Sequence, residues 1–142
     1  MKVKLLDPRA KVPTVEHPGS DLGYDLYCLN NIILLKDFVA GIRTGIAVEF
    51  DDLYGGIIKD RSSMAFKGVA VSGGVIDSGY RGEIIVLLTY HGPHDHFIID
   101  AGDKIAQLVL QRVHTLQESI PVVEEFGQIT PRGYKGFGST GR

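Results

Sequence analysis

Lys104-Ile105-Ala106-Gln107-Leu108-Val109-Leu110-Gln111-Arg112-Val113 is the stretch on which the fold turns. Ile105, Gln107, Val109 and Gln111 interleave with Ala106, Leu108, Leu110 and Arg112, the period of a strand with one face buried. The same mixture of β-branched, aromatic and alternating residues returns in short pieces at 31–35, 45–50, 56–59, 69–71, 83–90 and 96–100. Eighteen glycines and six prolines punctuate the chain, leaving little room for a long helix. Only Ser62 to Phe66, after an Arg-Ser-Ser turn, reads as a short helix. Many short strands at regular spacing specify an all-β domain of the sandwich, barrel or jelly-roll kind.

The chain has 142 residues, enough for one well-packed domain and short for two. Residues 1–142 show no repeat, linker or boundary, and 131–142, with four glycines and no strand pattern, read as a mobile C-terminal arm. Strand edges in so small a β domain need protection, and self-association is one way to supply it. Lys and Arg number 15 against 17 Asp and Glu, a formal charge of −2. A near-neutral chain without a basic run is poorly suited to nucleic acid, where phosphate neutralisation dominates affinity. Cys28 is the single cysteine, so no disulfide forms within the chain, and a reducing compartment fits. Residues 1–8 lack the apolar core of a signal peptide, and no apolar run is long enough to span a bilayer. The expectation is a cytoplasmic protein with no membrane partner.

Four segments set polar residues among glycines or turns. In Lys59-Asp60-Arg61-Ser62-Ser63-Met64, a planar guanidinium and two hydroxyls stand at a helix start, an arrangement suited to phosphate. A surface turn whose serines cap the helix is the plainer alternative. Gly73-Gly74-Val75-Ile76-Asp77-Ser78-Gly79-Tyr80-Arg81-Gly82 reads as a β-hairpin. Its Asp77 is placed to act as a general base and Tyr80 offers a flat ring, unless Asp77 only closes an Asx-turn. Residues 132–141 form a Gly-rich loop with Ser and Thr but without the ending of a P-loop. His91, His94 and His96, with Asp95, are possible zinc ligands, although a hairpin loop explains them more simply. For Asp25 the plain reading is a polar residue on the wet face of a strand.

Taken together and in order, these segments resemble the trimeric dUTPase family. The matching motifs are Gly23-Tyr24-Asp25-Leu26-Tyr27; Arg61-Ser62-Ser63 with Lys67-Gly68; Gly74-Val75-Ile76-Asp77 through Tyr80-Arg81-Gly82; Gly102-Asp103-Lys104-Ile105-Ala106-Gln107-Leu108; and Arg132-Gly133 followed by Gly136-Phe137-Gly138-Ser139-Thr140-Gly141. The resemblance implies a jelly-roll-like domain, a homotrimer with shared active sites, and hydrolysis of dUTP to dUMP and pyrophosphate with Mg2+. Such a reaction lowers dUTP and supplies dUMP. It gives Asp77 the role of activating the attacking water and Tyr80 that of packing on deoxyribose. Backbone groups of Gly73, Gly74, Val75 and Ile76 would pair with uracil. Arg61, Ser62, Ser63 and Gln107 are similar to phosphate-binding residues, and Asp25 to the acid that reaches magnesium through water. In the arm, Phe137 would stack on uracil, Arg132, Ser139 and Thr140 would hold the terminal phosphates, and Gly138 would be among the substrate-binding residues.

The sequence departs from the family pattern at Asp60, where proline is common, at Asp21-Leu22 before Gly23, and at Lys135 in the arm. A dCTP deaminase shares the fold and the Arg-Ser-Ser element, and a non-catalytic nucleotide-binding trimer is a rival of another class.

Overall fold

The computed structural model describes residues 1–114, 120–124 and 127. Among them the elements run β1 (Lys2–Leu5), β2 (Gly23–Tyr27), β3 (Ile32–Leu35), β4 (Val39–Glu49), β5 (Tyr54–Lys59), α1 (Ser62–Phe66), β6 (Val69–Val71), β7 (Val75–Ile76), β8 (Glu83–Tyr90), β9 (His96–Ile99) and β10 (Lys104–Arg112). One sheet has the order β1-β4-β8-β6 and a second the order β2-β10-β5-β7, while β3 and β9 form a two-stranded ribbon. All the strand pairs are antiparallel. The result is the expected all-β, jelly-roll-like architecture.

One apolar cluster draws on all three sheets: Leu26, Ile58 and Leu108 from the second, Ile42, Val86 and Leu88 from the first, Leu34 and Ile99 from the ribbon. Its alternation is plainest in β8, where Ile84, Val86 and Leu88 point inward and Ile85 and Leu87 outward. Such a period of two packs one face and leaves the other to solvent. The buried Thr44 hydroxyl donates to the Ile84 carbonyl at 2.6 Å, which offsets the cost of burying it.

Three features depart from the sequence expectations. β4 begins at Val39, not at Gly45, because Gly45 (φ +71°) lies within the register shift between Arg43 and Ala47. Glycine here makes a bulge inside a strand, not a strand boundary. β1 carries no readable apolar period because it is largely exposed, and β7, expected as part of a local hairpin, has only two residues. In β10 the register shifts between Lys104 and Ala106. Ile105 and Ala106 are consecutively buried in consequence, and Ile105 shares the core face with Leu108 instead of the outer face with Gln107.

Candidate active site

β2 and β10 run side by side with Asp25 opposite Gln107, and Gln107 is opposite Lys59 on β5. Immediately after Lys59 the chain turns into α1. Asp25 is only 6% exposed, so it is not on a wet face. Its charge is compensated instead: Arg61 Nε donates to Oδ1 at 2.9 Å, Lys104 Nζ donates to Oδ2 at 2.8 Å, and Gln107 Nε2 reaches Oδ1 at 3.5 Å. A buried carboxylate requires such partners. The same contact raises the Lys104 ammonium above its ordinary range. Arg61 Nη1 also donates to Ser63 Oγ and to the Lys104 carbonyl, both at 3.4 Å.

The serines do not cap α1, for its N-cap is Arg61 and no side chain caps it. Ser62 and Ser63 are exposed beside the guanidinium. Asp60 Oδ1 accepts the Val71 N–H at 2.6 Å, so this departure from the family pattern ties the turn to β6 with its carboxylate already engaged. Lys104 is the residue whose part in the cluster the sequence did not disclose. It lies three positions from Gln107, on the opposite face of any regular strand.

The second constellation differs from the expected local hairpin. β6 and β8 pair with one another, and residues 72–82 form the excursion between them, within which β7 crosses to the edge of the other sheet beside β5. The approach is close: the Gly74 carbonyl accepts the Ile58 N–H at 2.7 Å, and a Cβ on Gly74 would stand 2.7 Å from the Ile58 carbonyl oxygen. Gly73 has φ +85°, a conformation that favours glycine. Val75 is 76% exposed. A turn follows, closed by the Tyr80 N–H on the Asp77 carbonyl at 3.0 Å. Arg81 Nη1 donates to the carbonyls of Ser78 and Tyr80, and the Tyr80 hydroxyl donates to the Glu83 carbonyl at 3.0 Å. Asp77 is exposed and lines a cleft of about 310 Å³ with Gly55, Ile76, Ser78 and Gln111.

The two constellations lie apart. Asp77 is one residue past Ile76, which faces Gly56 and, across β5, Leu110, whereas Asp25 faces Gln107. That is roughly 13 Å along the strands, and the three strand spacings from β2 to β7 add roughly 14 Å across them. Arg132, Phe137, Gly138, Ser139 and Thr140, with the rest of 131–142, lie outside the described residues. The histidine loop joins β8 to β9, which belong to different sheets, so it is not a hairpin. His91 Nδ1 lies 2.8 Å from Asp37 Oδ1. Among the described residues no three His, Cys, Asp or Glu side chains converge on a metal position. The Asp25 cluster, with one carboxylate, is suited only to an ion that arrives with phosphate oxygens and waters of its own.

The family model for dUTPase matches residues 9–141. The deoxyuridine 5'-triphosphate nucleotidohydrolase of Thermobifida fusca is 40% identical over 99% of this chain and 78% of its own length. The dUTPase of Staphylococcus bacteriophage 80alpha, solved with dUpNHpp, superposes with a TM-score of 0.87 at 30% identity, covering 99% of this chain and 98% of the other. A mutant dUTPase from phage phi11 of S. aureus, described as coordinating a structural Mg(II) ion, gives 0.78 at 26% identity, covering 88% of this chain and 97% of that one. The chain belongs to the dUTPase family.

Proposed function

We propose that this chain hydrolyses dUTP to dUMP and pyrophosphate as a homotrimer with shared sites. The observation that supports the reading is the Asp25 cluster on β2, which gathers Arg61 and Ser63 from the start of α1 and Gln107 from β10, with Ser62 exposed beside them. A guanidinium with hydroxyls at a turn is a phosphate grip. β7 is the edge of its sheet, so the backbone groups of Gly73 to Ile76 that face away from β5 are available to pair with the uracil edge. Tyr80, held by its hydroxyl, presents its ring to the sugar.

In the reaction Asp77 takes a proton from water as the water oxygen bonds to the α-phosphorus. The bond from that phosphorus to the bridging oxygen breaks, and pyrophosphate leaves. Magnesium carried on the phosphates would neutralise their charge, and Asp25 is the residue that would hold it through water. Arg61 fixes the triphosphate in line with the attacking water. A base must stand within hydrogen-bond reach of the water, and Asp77 is much too far from Arg61 of its own chain. Sharing between subunits meets that requirement. Arg132, Phe137, Gly138, Ser139 and Thr140 complete the site as an arm over the nucleotide, in a single domain of residues 1–142.

The test is product release from dUTP, dCTP, dTTP and UTP with magnesium. Pyrophosphate from dUTP alone supports the reading. Ammonia from dCTP would move it to a deaminase, and binding of dUTP without product would leave a nucleotide-binding module. A cytoplasmic location fits, and its test is fractionation of the producing cells.

A further inference from the structure

We propose that Lys104 is a positioning residue, turned onto Asp25 by the β10 bulge, that keeps Arg61 free to grip the triphosphate. The inference rests on the dUTPase reading above. In a regular strand residues three apart face opposite sides, yet Lys104 Nζ and Gln107 Nε2 both reach the Asp25 carboxylate, at 2.8 and 3.5 Å. The register shift between Lys104 and Ala106 is what permits this. Bulges give up ladder pairing and are found where a side chain must be re-aimed.

The contact changes what Arg61 can do. An arginine beside a lone carboxylate commonly closes on both oxygens as a fork, using two of its nitrogens. Here Lys104 occupies Oδ2, and Arg61 holds Oδ1 through Nε. Nη1 meets Ser63 Oγ and the Lys104 carbonyl instead, each at a long 3.4 Å, so the carboxylate is held by Nε alone and the outer edge of the guanidinium is not committed to it. The trio of Asp25, Arg61 and Lys104 also carries one net positive charge, where the pair alone would be neutral and would attract a polyanion less.

The experiment compares the parent with K104M and K104R, measuring the affinity for dUpNHpp and for dUMP and the kinetics with dUTP. For K104M, dUpNHpp binding should weaken about tenfold or more, equivalent to 1.4 kcal/mol. Binding of dUMP should stay within about threefold, and KM should rise more than kcat falls. K104R should restore the affinity for dUpNHpp. Should K104M fail to fold, K104Q carries the same test. The proposal is overturned if dUpNHpp binds the uncharged variant as tightly as the parent, if dUMP weakens equally, or if K104R is no better than K104M. A parent protein that neither binds dUpNHpp nor hydrolyses dUTP instead removes the reading beneath it.

Discussion

Asp77 sits exposed in the turn after β7, whereas Asp25 is buried between Arg61 and Lys104. In the proposed reaction the first meets a water, while the second is paired with cations. D77N keeps the shape and removes the proton acceptor. It should bind dUpNHpp as the parent does while pyrophosphate release falls by about 100-fold or more; an undiminished rate would remove Asp77 from the base role. Away from the site, Asp7 accepts from Arg9 Nε at 3.0 Å and Nη2 at 2.9 Å, and from the Arg9 N–H. These hydrogen bonds lower its carboxyl from the ordinary 3.8 to about 2. A carboxyl depressed by folding stabilises the fold above its unfolded value, and that contribution is lost as pH falls through the folded value. The acid-melting difference between the parent and D7N should therefore shrink between about pH 4 and pH 2, as followed by circular dichroism. No such narrowing would mean that the ion pair does not persist in solution.

The bulges and the β6–β8 excursion are the elements that the sequence disclosed least. α1, β6 and β8 were legible to the residue, since each is a compact run between clear turn residues such as Arg61, Gly68 and Gly82. In β10 the alternation reads straight through Ile105, because nothing in the residue types marks where the ladder skips. By that alternation Lys104 faces away from Gln107, and only the shifted register brings it to Asp25. The segment 73–82 looked like a hairpin by its glycines, but pairing of β7 with β5 is a contact between distant residues that local turn chemistry cannot encode. Gly82 belongs to the same excursion: a Cβ there would come 2.6 Å from Tyr80 Cζ. G82A should push the Tyr80 ring out of place and narrow the preference for dUTP over UTP, read as the ratio of kcat/KM for the two. If the ratio holds, the Tyr80 ring does not set the sugar preference. The anchoring of the Tyr80 hydroxyl on the Glu83 carbonyl was not legible in the residue types.

In the proposed reaction, the distance between Asp77 and Arg61 requires more than one chain. Light scattering should report three times the 15.5 kDa chain; a monomer that hydrolyses dUTP would refute shared sites. A sharper check mixes two inactive variants, D77N and R61A, after unfolding and refolding together. If every site takes Asp77 from one chain and Arg61 from another, about a quarter of the sites in an equal mixture regain both groups. Activity should return to about that fraction of the parent, and no recovery would mean that each chain supplies its own pair. The same separation of Asp77 from Arg61 has a consequence for inheritance. Where sites are shared as proposed, a copy that folds without either group would join sound copies and spoil the site of each neighbour it was meant to complete. A single damaged gene would then act dominantly over an intact one, reducing dUTP clearance by more than its share of the protein made.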